Sequence, residues 1–319
     1  MDNQIRIECL HPGLMTTIQD QGRSGKQHLG IPPGGALDGQ SARIANALAG
    51  NNIRNPVLEI TVIGPQLKFH NDCQIALTGA RIPVLADGHH VPYYQTINLP
   101  AGTVLRFGRV LDGCRSYLAV NGEWQVDQWM GSSSALTSTR QEHTAFAYLK
   151  AKSVLSIVRG KNIQPISIPP FWWPDYTHFP PIRLMPGPEF FSVDQRALDI
   201  LLSHPHTVSR DSNRMGYRLK SRFQFPESSR EMLSSAILPG TIQLTSSGQP
   251  ILLLADAQTT GGYYRVGQVI AADIDLLGQL KPGDEIGFIM VNSHAALKAA
   301  DEYLNRETLI MASIRKTRQ

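Results

Sequence analysis

Short apolar runs broken by Gly or Pro dominate this chain. "VLEITVI" (57–63), "QIALTGA" (74–80), "TVLRFG" (103–108), "SYLAVNG" (116–122) and "SVLSIV" (153–158) have the length and residue types of strands. "PIRLMPG" (181–187), "GTIQLTS" (240–246), "PILLLAD" (250–256) and "EIGFIMV" (285–291) repeat the pattern in the second half. Helical spacing is rarer. Residues 38–49 place Ile44, Ala45 and Leu48 together, with Asp38 as N-cap and Gly50 suited to the left-handed position past the end. Residues 192–203 align Val193, Ala197, Leu198 and Leu201, and residues 293–306 align Ala296, Ala300, Tyr303 and Leu304. "DIDLLGQL" (273–280) suits one short helical turn. The pattern predicts a mainly β, barrel-rich α+β protein with a few helices.

The stretch "IQPISIPPFWWPDYTHFPP" (163–181) interrupts this rhythm. Proline removes backbone donors and blocks helix interiors, so an extended connector is expected, with its aromatic side chains pinned against a domain face. It divides the chain into an N-terminal module (1–162) and a C-terminal module (182–319). The halves echo each other: "LPAGTVLRF" (99–107) and "LKPGDEIGF" (280–288) share Leu, Gly, an aliphatic residue and Phe at the same spacings. The echo points to a duplicated module, two similar mixed-β barrels side by side.

Composition narrows the function classes. Of 319 residues 42% are hydrophobic and 18% charged, which suits sizeable cores and excludes wholesale disorder. The net charge is only +4, with no long Lys/Arg run, so no nucleic-acid partner is expected. The basic tail (Arg315, Lys316, Arg318) reads as a frayed end. Cys9, Cys73 and Cys114 lack metal-ligand spacing and read as buried thiols in a reducing compartment. With no signal-peptide pattern and no membrane-length apolar run, a cytoplasmic protein is expected. Phosphate-loop, nucleophile-elbow, HExxH and paired CxxC motifs are absent from the sequence. No metal site is expected, and the pair His89–His90 reads as a solvated turn.

Three polar stretches remain. "TTIQDQGRSGKQHLGIPPGGALD" (16–38) sets Gln19, Asp20, Arg23 and Asp38 among glycines and prolines. Such a loop is either a long surface excursion or functional, and Arg23 near Asp20 offers a fork for a carboxylate or phosphate. "SRDSNRMGYRL" (209–219) spaces Arg210, Arg214 and Arg218 around Gly216. It fits a charged hairpin edge or an anion site. "DAQTTGGYYRVG" (256–267) follows an apolar strand with Gln258, Thr259, Thr260, Gly261, Gly262, Tyr263 and Arg265. Its glycines permit unusual φ and close approach to the backbone; its neutral donors suit an amide or its oxyanion better than a bare cation. A bulged hairpin would explain the glycines but not Gln-Thr-Thr.

At these segments the chain resembles a known family. "GLMTTIQDQGR", "GALDGQSARIANALAGN", "LEITV", "ALTGA", "RSYLAVNG", "MGSSS", "MPGPE", "SNRMGYRL", "LPGTIQL", "GQPILLLADAQTTGGY" and "LKPGDEI" carry the likeness in order, from about Gly13 to Ala300. The family comprises the C subunit of bacterial ATP-dependent 5-oxoprolinase, allophanate hydrolase subunit 2, biotin-dependent carboxyltransferases and the antagonist of the kinase inhibitor KipI. The resemblance implies cyclophilin-like barrel modules. It implies ATP-dependent opening of 5-oxo-L-proline to L-glutamate by a complex that also contains a KipI-like and a LamB/YcsF-like subunit, with ATP used by the complex. The alternatives it implies are carboxyl transfer from carboxybiotin on another protein, or non-catalytic binding of a KipI-like partner. Mapped onto matching positions, it puts Arg214 or Arg218 on a carboxylate or phosphate and Gln258 and Thr260 on the substrate carbonyl. Asp20, Arg23, Tyr217, Thr259, Gly261, Gly262 and Tyr263 complete the expected site. The chain departs from the family pattern at Tyr264, where Pro is usual, and at Ala236, where Gly is common.

Overall fold

The structure, a computed structural model, describes residues 3–136, 148–176, 180–222 and 232–318. The expected mainly β architecture with few helices is what it contains. In the first unit, strands Met15–Gln19, Val57–Thr61, Asp112–Val120, Cys73–Arg81 and Thr96–Leu99 form an antiparallel sheet in that order. A seven-stranded sheet lies opposite, running from Gly122–Trp124 through Val154–Arg159, Gln4–His11, Gln66–Phe69, Val104–Phe107 and Val84–Ala86 to His89–His90. Ile7, Phe69, Leu105 and Ile157 of the larger sheet meet Leu58, Ile60, Leu77 and Leu118 of the smaller in one core.

The five-stranded sheet is covered on its other face too. Helix α1 (Gly39–Ala49) packs Ala45 and Leu48 there, against Val57, Ala76 and Ala119. Burial on both faces explains why its central strands read as continuous apolar runs rather than alternating ones. Asp38 caps α1 by accepting from the Ser41 backbone N–H at 2.9 Å, and Gly50 closes it at φ +82°, as the sequence predicts.

The second unit is a six-stranded sheet: Gly216–Arg218, Pro250–Leu253, Thr241–Leu244, Tyr264–Val269, Ile182–Pro186 and Phe288–Met290. Helix α2 (Gln195–Ser203) buries Ala197, Leu198 and Leu201 against it, and the short α3 (Ile274–Leu277) buries Leu277. The two units differ in strand number. Among the described residues no sheet closes on itself, so layered open sheets stand where barrels were expected; closure would require the first and last strands of an order to pair.

The Pro-rich connector runs along the first unit. Ile168 donates to the Tyr94 carbonyl at 3.0 Å, Trp173 stacks on Tyr94 at 4.9 Å, and Tyr176 is buried. Residues 177–179 of that connector lie outside the described residues. The basic tail is not frayed. Helix α4 (Ser293–Thr317) carries Arg315 and Lys316 and docks Ile310, Met311 and Ile314 beside α1, and Arg318 donates to the Leu48 carbonyl at 2.9 Å. Its docking stripe is too short to stand out in sequence, because most of the helix faces solvent.

Candidate functional site

The polar stretches converge where the two units meet. Glu59 lies mid-strand on the face of the smaller sheet that looks away from the main core, directly across from Tyr117 and Thr17. A carboxylate there is completely enclosed and must be compensated. Arg214 supplies the charge. It is 0% exposed, pairs with Glu59, and forks onto Asp256 through Nε and Nη2, both at 3.0 Å. Its Nη2 also donates to the Gly35 carbonyl at 2.6 Å. Arg115 lies 3.4 Å from Glu59 and donates to the Tyr217 hydroxyl at 3.0 Å. Two guanidiniums thus balance two carboxylates without solvent.

Local sequence explains the placement of each group. "SNRMG" folds as a tight turn in which Asn213 and Gly216 exchange backbone hydrogen bonds at 3.2 Å, leaving Arg214 pointing inward. Strand alternation then buries Tyr217 and exposes Arg218. The Tyr217 hydroxyl donates to the carbonyls of Leu277 and Leu280, at 2.8 and 2.9 Å, which ties this strand to the segment after α3. Burial pushes the Tyr217 phenol up to about 12, so it stays a neutral donor. Burial alone would lower the Arg214 pKa; Asp256 and Glu59 outweigh it and raise the value, so the guanidinium stays charged.

Asp20 and Arg23 form a neighbouring cluster. Asp20 accepts from the Ser132 and Ser134 hydroxyls, both at 2.6 Å, and from the backbone N–H of Ser133 and Gly22. Arg23, almost fully buried, donates to the carbonyls of Trp129 and Ser134 and lies 5.1 Å from the Trp129 ring centroid. Its Nη1 has no partner among the described residues. Burial lowers its pKa, against the fields of Asp20 and Asp256. The two residues also line a cleft of about 630 Å³ with Arg54, Met130 and Gly131. Gly34 donates to the Ala255 carbonyl at 3.0 Å and so carries this loop to the 256–263 turn.

The turn itself is clamped. Thr260–Gly261 pairs with Ser235–Ala236 in a two-stranded ribbon, and Ile237 donates to the Thr259 carbonyl at 3.0 Å. Arg265 forks onto Glu189 at 2.9 and 2.7 Å and donates to the Ala236 carbonyl at 2.9 Å. That pairing raises the Arg265 pKa and lowers that of Glu189. The glycines serve close approach: a Cβ on Gly261 would sit 2.7 Å from Gln243 Nε2, and one on Gly262 would sit 2.8 Å from the Met232 carbonyl oxygen. Neither has positive φ, so the expected need for left-handed backbone does not arise. Tyr264 opens the next strand opposite Leu244. Gln258, Thr260 and Tyr263 remain exposed, while Thr259 is buried.

The sequence-predicted residues therefore separate by depth. Arg214 and Tyr217 are buried, and Arg214, expected to meet a carboxylate or phosphate, is paired with Glu59 and Asp256 in this structure. Arg218 lies on the outer side of its strand, 3.4 Å from Gln249, and does not join the cluster. Arg265 is spent on Glu189. Sequence reading missed Glu59, Arg115 and Glu189. A lone Glu inside the apolar run "VLEITVI" was the available signal, since such a residue requires a cation.

The partly exposed turn at 256–263 and the buried Glu59–Arg214–Asp256 network thus lie in one β-rich scaffold. The chain belongs to the carboxyltransferase-domain family, whose model for subdomains A and B matches residues 29–290. It is 37% identical to the C subunit of 5-oxoprolinase from Escherichia coli, over 93% of this chain and 94% of that protein. It is 30% identical to urea amidolyase of Saccharomyces cerevisiae over 93% of this chain, but only 17% of that protein's length. The crystal structure of Kluyveromyces lactis urea carboxylase superposes with a TM-score of 0.87 at 26% identity, covering 96% of this chain and 29% of that one. No helix among the described residues is long and apolar enough to cross a membrane, and no group of three or more His, Cys, Asp or Glu there is arranged to hold a metal.

Proposed function

We propose that this chain is a subunit of an ATP-dependent 5-oxoprolinase, which hydrolyses 5-oxo-L-proline to L-glutamate. The observation that carries the reading is the end-to-end match with the 5-oxoprolinase C subunit, which leaves almost none of either chain unmatched. Water adds to the lactam carbonyl, negative charge develops on its oxygen, and the ring C–N bond breaks. The exposed Gln258 amide and Thr260 hydroxyl are neutral donors suited to that oxygen, on a turn held rigid by Glu189–Arg265 and Arg214–Asp256. Thr259, Gly261 and Gly262 shape the turn, Tyr263 forms its outer edge, and Asp20 and Arg23 hold the adjoining loop. ATP is consumed by the complex, and no residue of this chain is assigned to it. The partners are a KipI-like and a LamB/YcsF-like subunit, so activity needs all three.

Membership of the carboxyltransferase-domain family and the likeness to urea amidolyase favour a second reading, carboxyl transfer with biotin on another protein. Glutamate release from 5-oxo-L-proline plus ATP decides between them. It should occur only when the three subunits are mixed, and Gln258→Ala should lower it about 10²-fold without unfolding the chain. A well-folded mixture that releases no glutamate but carboxylates urea with a biotinylated carrier overturns the first reading.

A further inference from the structure

A cavity of about 280 Å³ opens at the seam between the units and shares no residue with the turn or the Asp20–Arg23 cleft. Its walls come from the start of α1, the connector, the segment around α3, and α4. Most of its polar groups are already engaged. Asp275 accepts from the backbone N–H of Gly39 and Gln40, at 3.0 and 2.9 Å, and from the Tyr303 hydroxyl at 2.5 Å. Arg183 forks onto Asp273.

Three groups are left over. Gln40 Nε2 is buried and has no acceptor among the described residues. The Glu302 carboxylate, itself two-thirds exposed, lies 3.9 Å from the exposed Lys298 and in the field of Arg183, whose fork Asp273 already holds. Arg306, which is exposed, gives one side-chain N–H to the Trp172 carbonyl at 3.2 Å, and its guanidinium makes no other hydrogen bond among the described residues. Glu302 and Arg306 are four residues apart on α4, hence neighbours on its surface. Asp38 and Asp275 add negative field behind them; burial first, then Asp275, pushes the Asp38 carboxyl up to about 6.

A leftover carboxylate, guanidinium and amide donor complement a molecule bearing one ammonium and one carboxylate. The volume falls just below the roughly 300 Å³ at which drug-sized pockets begin, so the ligand is small. We propose that the seam cavity is a second small-molecule site that takes a free α-amino acid, its ammonium on Glu302 and its carboxylate on Arg306 and Gln40 Nε2. The site stands apart from the proposed activity.

Calorimetric titration of the full chain with a panel of L-amino acids, L-glutamate first, tests this. At least one should bind saturably, while butylamine and butyrate, each carrying half of the recognition set, should not. Glu302→Gln and Arg306→Gln are exposed changes that leave the fold intact, and each should weaken binding at least about 10-fold, by loss of a charge-assisted contact. Gln258→Ala should leave it unchanged. Absence of saturation with every amino acid up to about 10 mM overturns the proposal. So does binding that both α4 variants leave intact, binding lost only in Gln258→Ala, or butylamine binding as tightly as the amino acid. None of these outcomes bears on glutamate release, which stands or falls in its own assay.

Discussion

Arg214→Met removes one of the two cations that neutralise Glu59 and Asp256. Both carboxylates stay where they are, with Arg115 at 3.4 Å from Glu59 as the remaining compensation. The Gly35 carbonyl also loses the donor that reaches it at 2.6 Å. Removing one partner of a buried pair costs about 3–5 kcal/mol, because an uncompensated charge is left in a medium that solvates it poorly. Against a typical total of about 5–15 kcal/mol, that is roughly a fifth or more of the stability. Urea unfolding followed by circular dichroism should show the midpoint falling by the corresponding amount. The double variant Glu59→Gln/Arg214→Met should recover part of the loss, with a coupling of about 1–3 kcal/mol between the sites. If Arg214 instead grips a ligand, activity falls while stability holds. A loss below about 1 kcal/mol, or singles that simply add, would refute the buried-network account.

Other consequences are as concrete. Gly262→Ala should cost about 1–3 kcal/mol in thermal unfolding, because its Cβ would lie 2.8 Å from the Met232 carbonyl; an unchanged melting temperature contradicts the close approach. Glu189→Gln breaks the fork to Arg265 and should lower activity more than stability, with faster amide exchange in the 256–263 turn. Asp38 binds its proton more tightly folded than unfolded, so it favours folding near pH 4 and that contribution fades as pH rises through about 6. The advantage of the wild type over Asp38→Asn should therefore shrink by up to about 3 kcal/mol between pH 4 and pH 7; a flat difference would exclude the shift. Arg218→Ala should stay within about 0.5 kcal/mol of wild type and leave activity untouched.

Much was legible from the residues alone where the deciding forces are local. Strand lengths, the capped α1 and the turn at Asn213–Gly216 follow from residue propensity and backbone geometry within a few residues. The stretches 209–219 and 256–267 were visible as unusual because their polar content breaks an apolar rhythm. The depth of each side chain was not visible. Alternation says that Tyr217 and Arg218 face opposite ways, but not which way is covered. That depends on Glu59 meeting Arg214 across 155 positions of sequence and on Gln279 reaching Asp38 across 241. The sequence by itself determined the mainly β class, many of the strands, the capped α1 and the segments with unusual polar content. Only the tertiary structure decided that Arg214 and Arg115 are spent inside on Glu59 while Gln258 and Thr260 are exposed, because desolvation and charge pairing act between groups that chain order keeps far apart.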